Sequence, residues 1–112
     1  MTKIAIPPDL AAMFAACEDA YEQATREGYA ENPAVPAALT GLKSAWMALQ
    51  IANCNLMTAK GFFAVRFATF HADRAARATR KVCVDFQAAI AQAAAENRLN
   101  NRCLVLTRRS AA

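Results

Sequence analysis

The chain has 112 residues, 56% of them apolar, and a formal net charge of +4, which suits one domain with a modest core rather than several. Alanine supplies much of the apolar fraction, and 3 glycines and 4 prolines give too little turn chemistry for an all-β fold. The expected class is all-α, a small three- or four-helix bundle with short extended termini in a single domain, 1–112.

Lys3-Ile4-Ala5-Ile6 reads as an extended lead-in, and Pro7-Pro8 suit the first turn of a helix. The first helix is expected over 8–27, with Gly28 as its stop. Leu10, Phe14, Cys17, Tyr21 and Ala24 alternate at spacings of four and three and make one seam. Glu18, Asp19, Glu22 and Glu27 lie off that seam, so the outer face is acidic. It is either solvated or docked on the basic half of the same or another copy.

Residues 29–36 read as a hinge, with Asn32 and Pro33 as a cap and first-turn pair for a second helix over 34–60. At about 100° per residue, Leu42, Ala45, Trp46, Leu49, Ala52, Leu56, Phe63, Phe67 and Phe70 share one broad face. Met47, Ile51, Cys54 and Val65 form a second, narrower stripe roughly opposite. In so small a bundle a second apolar stripe is a partner-binding surface, and it favours homo-oligomers. Asn53 and Lys60 interrupt the main face, as edge residues or as polar markers of register.

A turn near Gly61 starts the third helix, 62–98. The apolar phase, however, holds to Phe70 and slips only afterwards. Ala75, Thr79, Val82, Phe86 and Ala93 lie about a quarter turn away, which leaves a break at 71–73 or a continuous helix as alternatives. Residues 99–112 read as an extended tail in which Cys103-Leu104-Val105-Leu106 either pairs with Ile4-Ala5-Ile6 or folds back on the bundle.

Charge is divided along the chain. Residues 1–59 hold three basic against six acidic side chains, and residues 60–112 hold ten against three. Arg66, Arg74, Arg77, Arg80, Lys81, Arg98 and Arg102 make up the expected basic partner-binding face. A row at i, i+3, i+7 can also track a phosphate backbone, which keeps DNA or RNA as an alternative partner, although no groove-reading module is recognisable.

Chemistry is poorly signalled. His71 is the one histidine, Ser44 and Ser110 have no adjacent base, and no HxxxH or ExxH spacing suggests a metal site. Cys17, Cys54, Cys83 and Cys103 form no CxxC pair and read as free thiols in a reducing cytoplasm. No catalytic, cofactor or metal residue is assigned. The uncharged run from Ser44 to Ala59 is shorter than the roughly 20 residues that a bilayer crossing needs. The amphipathic segment 74–95 offers only Phe86 as an aromatic anchor, so no membrane is expected as a partner.

These features converge on a non-enzymatic helical protein–protein interaction module, an adaptor, regulator or inhibitor. It is expected to self-associate, with its basic C-terminal half steering it to an acidic surface. The alternatives are a nucleic-acid-binding accessory protein and a small all-α enzyme.

Overall fold

A computed structural model describes the backbone of residues 6–111 and side chains through Arg102. Three helices account for it: α1 (Pro8–Glu27), α2 (Ala34–Thr58) and α3 (Phe62–Ala111). Among the described residues there is no strand. At 1.5 Å per residue α3 alone spans about 75 Å, and it sets the longest dimension of the molecule, 76 × 19 × 14 Å.

Each helix buries one seam at heptad spacing. In α2 the buried residues are Val35, Leu42, Leu49 and Leu56, seven apart. In α3 they are Ala68, Ala72, Ala76, Thr79, Cys83, Phe86, Ile90 and Ala93, separated by fours and threes. This is the left-handed pattern in which one helix face stays against its partner. α2 runs antiparallel to α3: Asn32, just before α2, meets Glu96, and Thr79 Oγ1 donates to Ala45 O at 3.3 Å. At the far end Leu56 packs with Ala68 and Ala72. α1 joins the near end only. Asp9 pairs with Arg80, Cys17 reaches Cys83, and Phe14 stacks on Trp46 with ring centroids 4.0 Å apart.

The near end is therefore three helices around Leu10, Cys17, Leu42, Cys83, Phe86 and Ile90. Beyond it, from about Met47 to Thr79, α2 and α3 continue as a bare two-helix hairpin.

The ends of α1 and the start of α2 follow local chemistry. Gly28 takes φ 85° and its N–H bonds back into the last turn of α1, a left-handed stop that favours glycine. Asn32 Oδ1 accepts the Ala34 N–H at 3.1 Å, and its Nδ2 donates to Glu96 at 2.6 Å. Pro33, not Asn32, takes the cap position of α2; Asn32 stands just before it and ties the hinge to α3.

The hairpin closes at Gly61, which has φ 89°. α2 ends in an extended Ala59, and the Gly61 carbonyl accepts the first helical bond of α3 from Val65 N at 3.0 Å. Gly61 thus serves at the start of α3 rather than at the end of α2. Gly61→Ala is expected to destabilise the fold by about 1–2 kcal/mol, because a Cβ is strained in the left-handed region even with open space around it. Urea titration followed by circular dichroism reads that loss.

One alternative falls, and one expectation needs correction. α3 passes through 71–73 without a break; the phase slip arises because Gly61 resets the helix, not because a second turn follows. Residues 99–111 are helical, not an extended tail. Extension of a formed helix adds one bond per residue, so α3 continues through the β-leaning run. The rest of the extended N-terminal lead-in, through Ala5, lies outside the described residues.

Candidate functional surface

The turn at Gly61 decides what the hairpin shows to its surroundings. Ala72 lies in the buried seam, and Phe63, nine residues earlier, is half a turn around the helix from it. Phe67 and Phe70 fall close to Phe63. Small alanines therefore sit between α2 and α3, and the phenylalanines point outward. Phe62, Phe63, Phe67 and Phe70 are 69%, 82%, 67% and 60% exposed. This overturns the expectation that Phe63, Phe67 and Phe70 continue the buried face of Leu42, Leu49 and Leu56. The wheel carried one phase across a turn that breaks it.

The exposed apolar surface is localised. Nine large apolar side chains are exposed among the described residues, and seven of them, Met47, Ile51, Met57 and the four phenylalanines, lie between residues 47 and 70. Phe63, Phe67 and Phe70 line one shallow depression. His71 bridges Phe67 and Phe70 edge-on, at 4.4 and 5.7 Å between centroids, and the Arg66 guanidinium lies 5.9 Å over Phe62. The four phenylalanines alone present roughly 500 Å² of apolar surface, at the upper range of what a monomer normally leaves uncovered.

Cations continue the same stripe. Phe63, Phe67, Phe70, Arg74, Arg77 and Lys81 follow one another at spacings of four, three, four, three and four, and all are exposed. One side of α3 thus reads as three aromatics and then three cations, opposite the seam that holds the fold. Between Met47 and Thr79 the charged residues are Lys60, Arg66, Arg74 and Arg77 against Asp73. The acidic residues of α1, together with Glu31, Asp85 and Glu96, belong to the near end.

Other expected site residues are dispersed. Met47, Ile51 and Cys54 are exposed on α2, but Val65 is half-buried against Leu56, Ala68 and Ala72, so the second stripe loses that member to the core. Arg80 turns aside to Asp9 at 3.2 Å, and these bonds hold the Asp9 carboxyl below the ordinary carboxylate range. Arg98 and Arg102 are exposed but lie about 30 Å or more along α3 from Arg77, so the seven basic residues do not form one patch.

A groove of about 750 Å³ runs between α2 and α3 on one side of the hairpin. Ala48, Ala52, Ala68 and Ala75 floor it, and Ile51, Phe67, His71 and Arg74 edge it. Its lining offers no convergent set of buried polar groups. Among the described residues no group of three His, Cys, Asp or Glu side chains is placed to hold a metal ion.

Cys17 and Cys83 are buried where α1 crosses α3, and Cys17 Sγ donates to Cys83 O at 3.6 Å. Burial, with the neighbouring Cys83 adding to it, pushes the Cys17 thiol up to about 12, and burial also raises Cys83. Cys54 is exposed. Iodoacetamide at mildly alkaline pH is expected to label Cys54 and spare Cys17 and Cys83, as read by peptide mapping. The folded chain keeps protons that the unfolded chain releases above its ordinary value of 9.0. The thiol contribution to stability is therefore fully present below that pH and is lost as pH rises toward about 12.

No helix among the described residues is long and apolar enough to cross a membrane. No family model, curated protein or solved structure matches the chain, so function rests on the chemistry of this outward stripe.

Proposed function

We propose that this chain is a non-enzymatic helical interaction module that works by occupying a partner surface with the bare end of its α2–α3 hairpin. The near end, read as a small three-helix bundle, is the stabilising base. One observation carries the reading: three exposed phenylalanines and three exposed cations form a single stripe opposite the core seam of α3. An aromatic cluster supplies contact area, and adjacent arginines supply orientation and steering toward acidic groups.

Self-association through this stripe remains part of the reading: a head-to-tail pair of copies sets the cations of one against the rings of the other, without supplying a counter-charge. A nucleic acid is the second reading, favoured by Arg74, Arg77 and Lys81 at i, i+3, i+7. No groove-reading module accompanies these cations.

The test compares the wild-type chain with Phe63→Ser/Phe67→Ser/Phe70→Ser. Light scattering reads association between copies. Sedimentation and band-shift assays read association with anionic vesicles and with a single-stranded oligonucleotide. The module reading expects wild-type association in at least one assay and its loss in the variant. A wild-type chain of 12.1 kDa that stays monomeric and binds nothing in these assays contradicts it.

A further inference from the structure

We propose that the surface this stripe occupies is an anionic lipid bilayer, entered at an angle by the hairpin tip and held by the cations behind it. The inference rests on the module reading and names its partner. It departs from the expectation of no membrane, which weighed residues 74–95 and found one aromatic anchor. The anchors stand earlier on the same helix.

Three features fit such a surface together. The first is the order of the stripe. Phe62 to Phe70 lie within about 14 Å of the turn along the helix, and Arg74 to Lys81 follow at about 20–30 Å. A tilted hairpin brings the aromatics to the headgroup–acyl boundary, a depth of roughly 5–10 Å, while the cations remain among the phosphates.

The second is the lack of charge at the tip. α2 carries no charged residue from Ser44 to Ala59, and the first nine residues of α3 carry Arg66 alone. Arg66 and Lys60 have long stems that let their charges reach back to the headgroups. Lys43 on α2 is level with Lys81 on α3, because Ala45 O meets Thr79, but it stands on the other helix, across the seam from the stripe.

The third is the position of the negative charge. Asp73 is the one acidic residue between Met47 and Thr79; Asp9, at the start of α1, is paired with Arg80, and exposed Asp85 follows one turn after Lys81, at the inner end of the cationic half. Glu18, Asp19, Glu22 and Glu27 lie farther along α1 and are held away from an anionic surface. A second copy, paired head to tail, sets rings against these cations but brings no anion, and an uncharged apolar partner likewise leaves Arg74, Arg77 and Lys81 without counter-charges. An anionic bilayer satisfies both halves of the stripe.

The test is co-sedimentation of the full chain with vesicles of phosphatidylcholine alone and of phosphatidylcholine with about one third phosphatidylserine. Binding is expected to the anionic vesicles, to weaken as salt rises, and to be slight without phosphatidylserine. Phe63→Ser/Phe67→Ser/Phe70→Ser and, separately, Arg74→Glu/Arg77→Glu/Lys81→Glu should each weaken it at least about tenfold. Circular dichroism checks that both variants keep their helices. In the wild-type background, brominated acyl chains should quench a tryptophan at Phe63→Trp more strongly than native Trp46, which stays stacked on Phe14. Absence of binding to anionic vesicles at low salt overturns the proposal, as does binding that the phenylalanine variant leaves unchanged. Phenylalanine-dependent dimerisation or oligonucleotide binding without vesicle binding also overturns it, and leaves the module reading standing.

Discussion

Phe86→Ala should lower the free energy of unfolding by about 3–5 kcal/mol, read from the midpoint of a urea titration. Phe86 is 0% exposed and is the largest side chain buried to that degree. Leu10 and Cys17 of α1 and Leu42 of α2 belong to the same cluster, so the void opens where three helices meet and no one of them can fill it by shifting alone. Small domains unfold for roughly 5–15 kcal/mol in total. Here the three-helix core is confined to one end of a rod 76 Å long, and the hairpin beyond it is held mainly by Leu56, Ala68 and Ala72 with Val65 against them. The loss at Phe86 is therefore a large fraction of what the chain has, and both variant midpoint and helical signal at 37 °C should fall.

Phe63→Ser/Phe67→Ser/Phe70→Ser carries the opposite expectation. It removes three rings, more apolar volume than Phe86→Ala, yet each is more than half exposed. Exposed substitutions away from buried networks cost within about 0.5 kcal/mol each, and serine lowers helix propensity only slightly. Contact with the partner surface should nevertheless be lost, because the rings are the apolar part of the stripe. In the native helix the ring contacts of these three are the edge contacts of Phe67 and Phe70 with His71 and of Phe63 with Phe62, all at the exposed surface.

Much of the fold was legible in the sequence, for reasons particular to each element. α1 follows its expected bounds because Pro8 and Gly28 are unambiguous start and stop residues. Asn32 was legible as a helix-start residue, although Pro33 takes the cap position, and Gly61 was a visible turn. The facing of α3 was not legible from the joined wheel, since Leu42 to Phe70 share a phase only if the helix continues through Gly61. One signal pointed the right way. Ala93, Phe86 and Thr79 define a seam that extends backward at fours and threes through Ala76, Ala72 and Ala68 to Val65, and it passes all three phenylalanines by. Aromatic size argued for burial, but in α3 before Thr79 the alanines occupy the inside and the phenylalanines are left outside, whereas Phe86 and Ile90 are buried farther on. The basic residues were legible as a set and not as a surface, because α3 spreads them along its whole length and Asp9 draws Arg80 away.

The most direct measurement is equilibrium urea unfolding of the wild type and of Phe63→Ser/Phe67→Ser/Phe70→Ser side by side. If these residues form a contact surface, the variant unfolds within about 1–1.5 kcal/mol of wild type, the sum of three exposed substitutions. A loss of several kcal/mol, comparable to that of Phe86→Ala, would place the rings in the core and contradict the outward stripe on which the function is built.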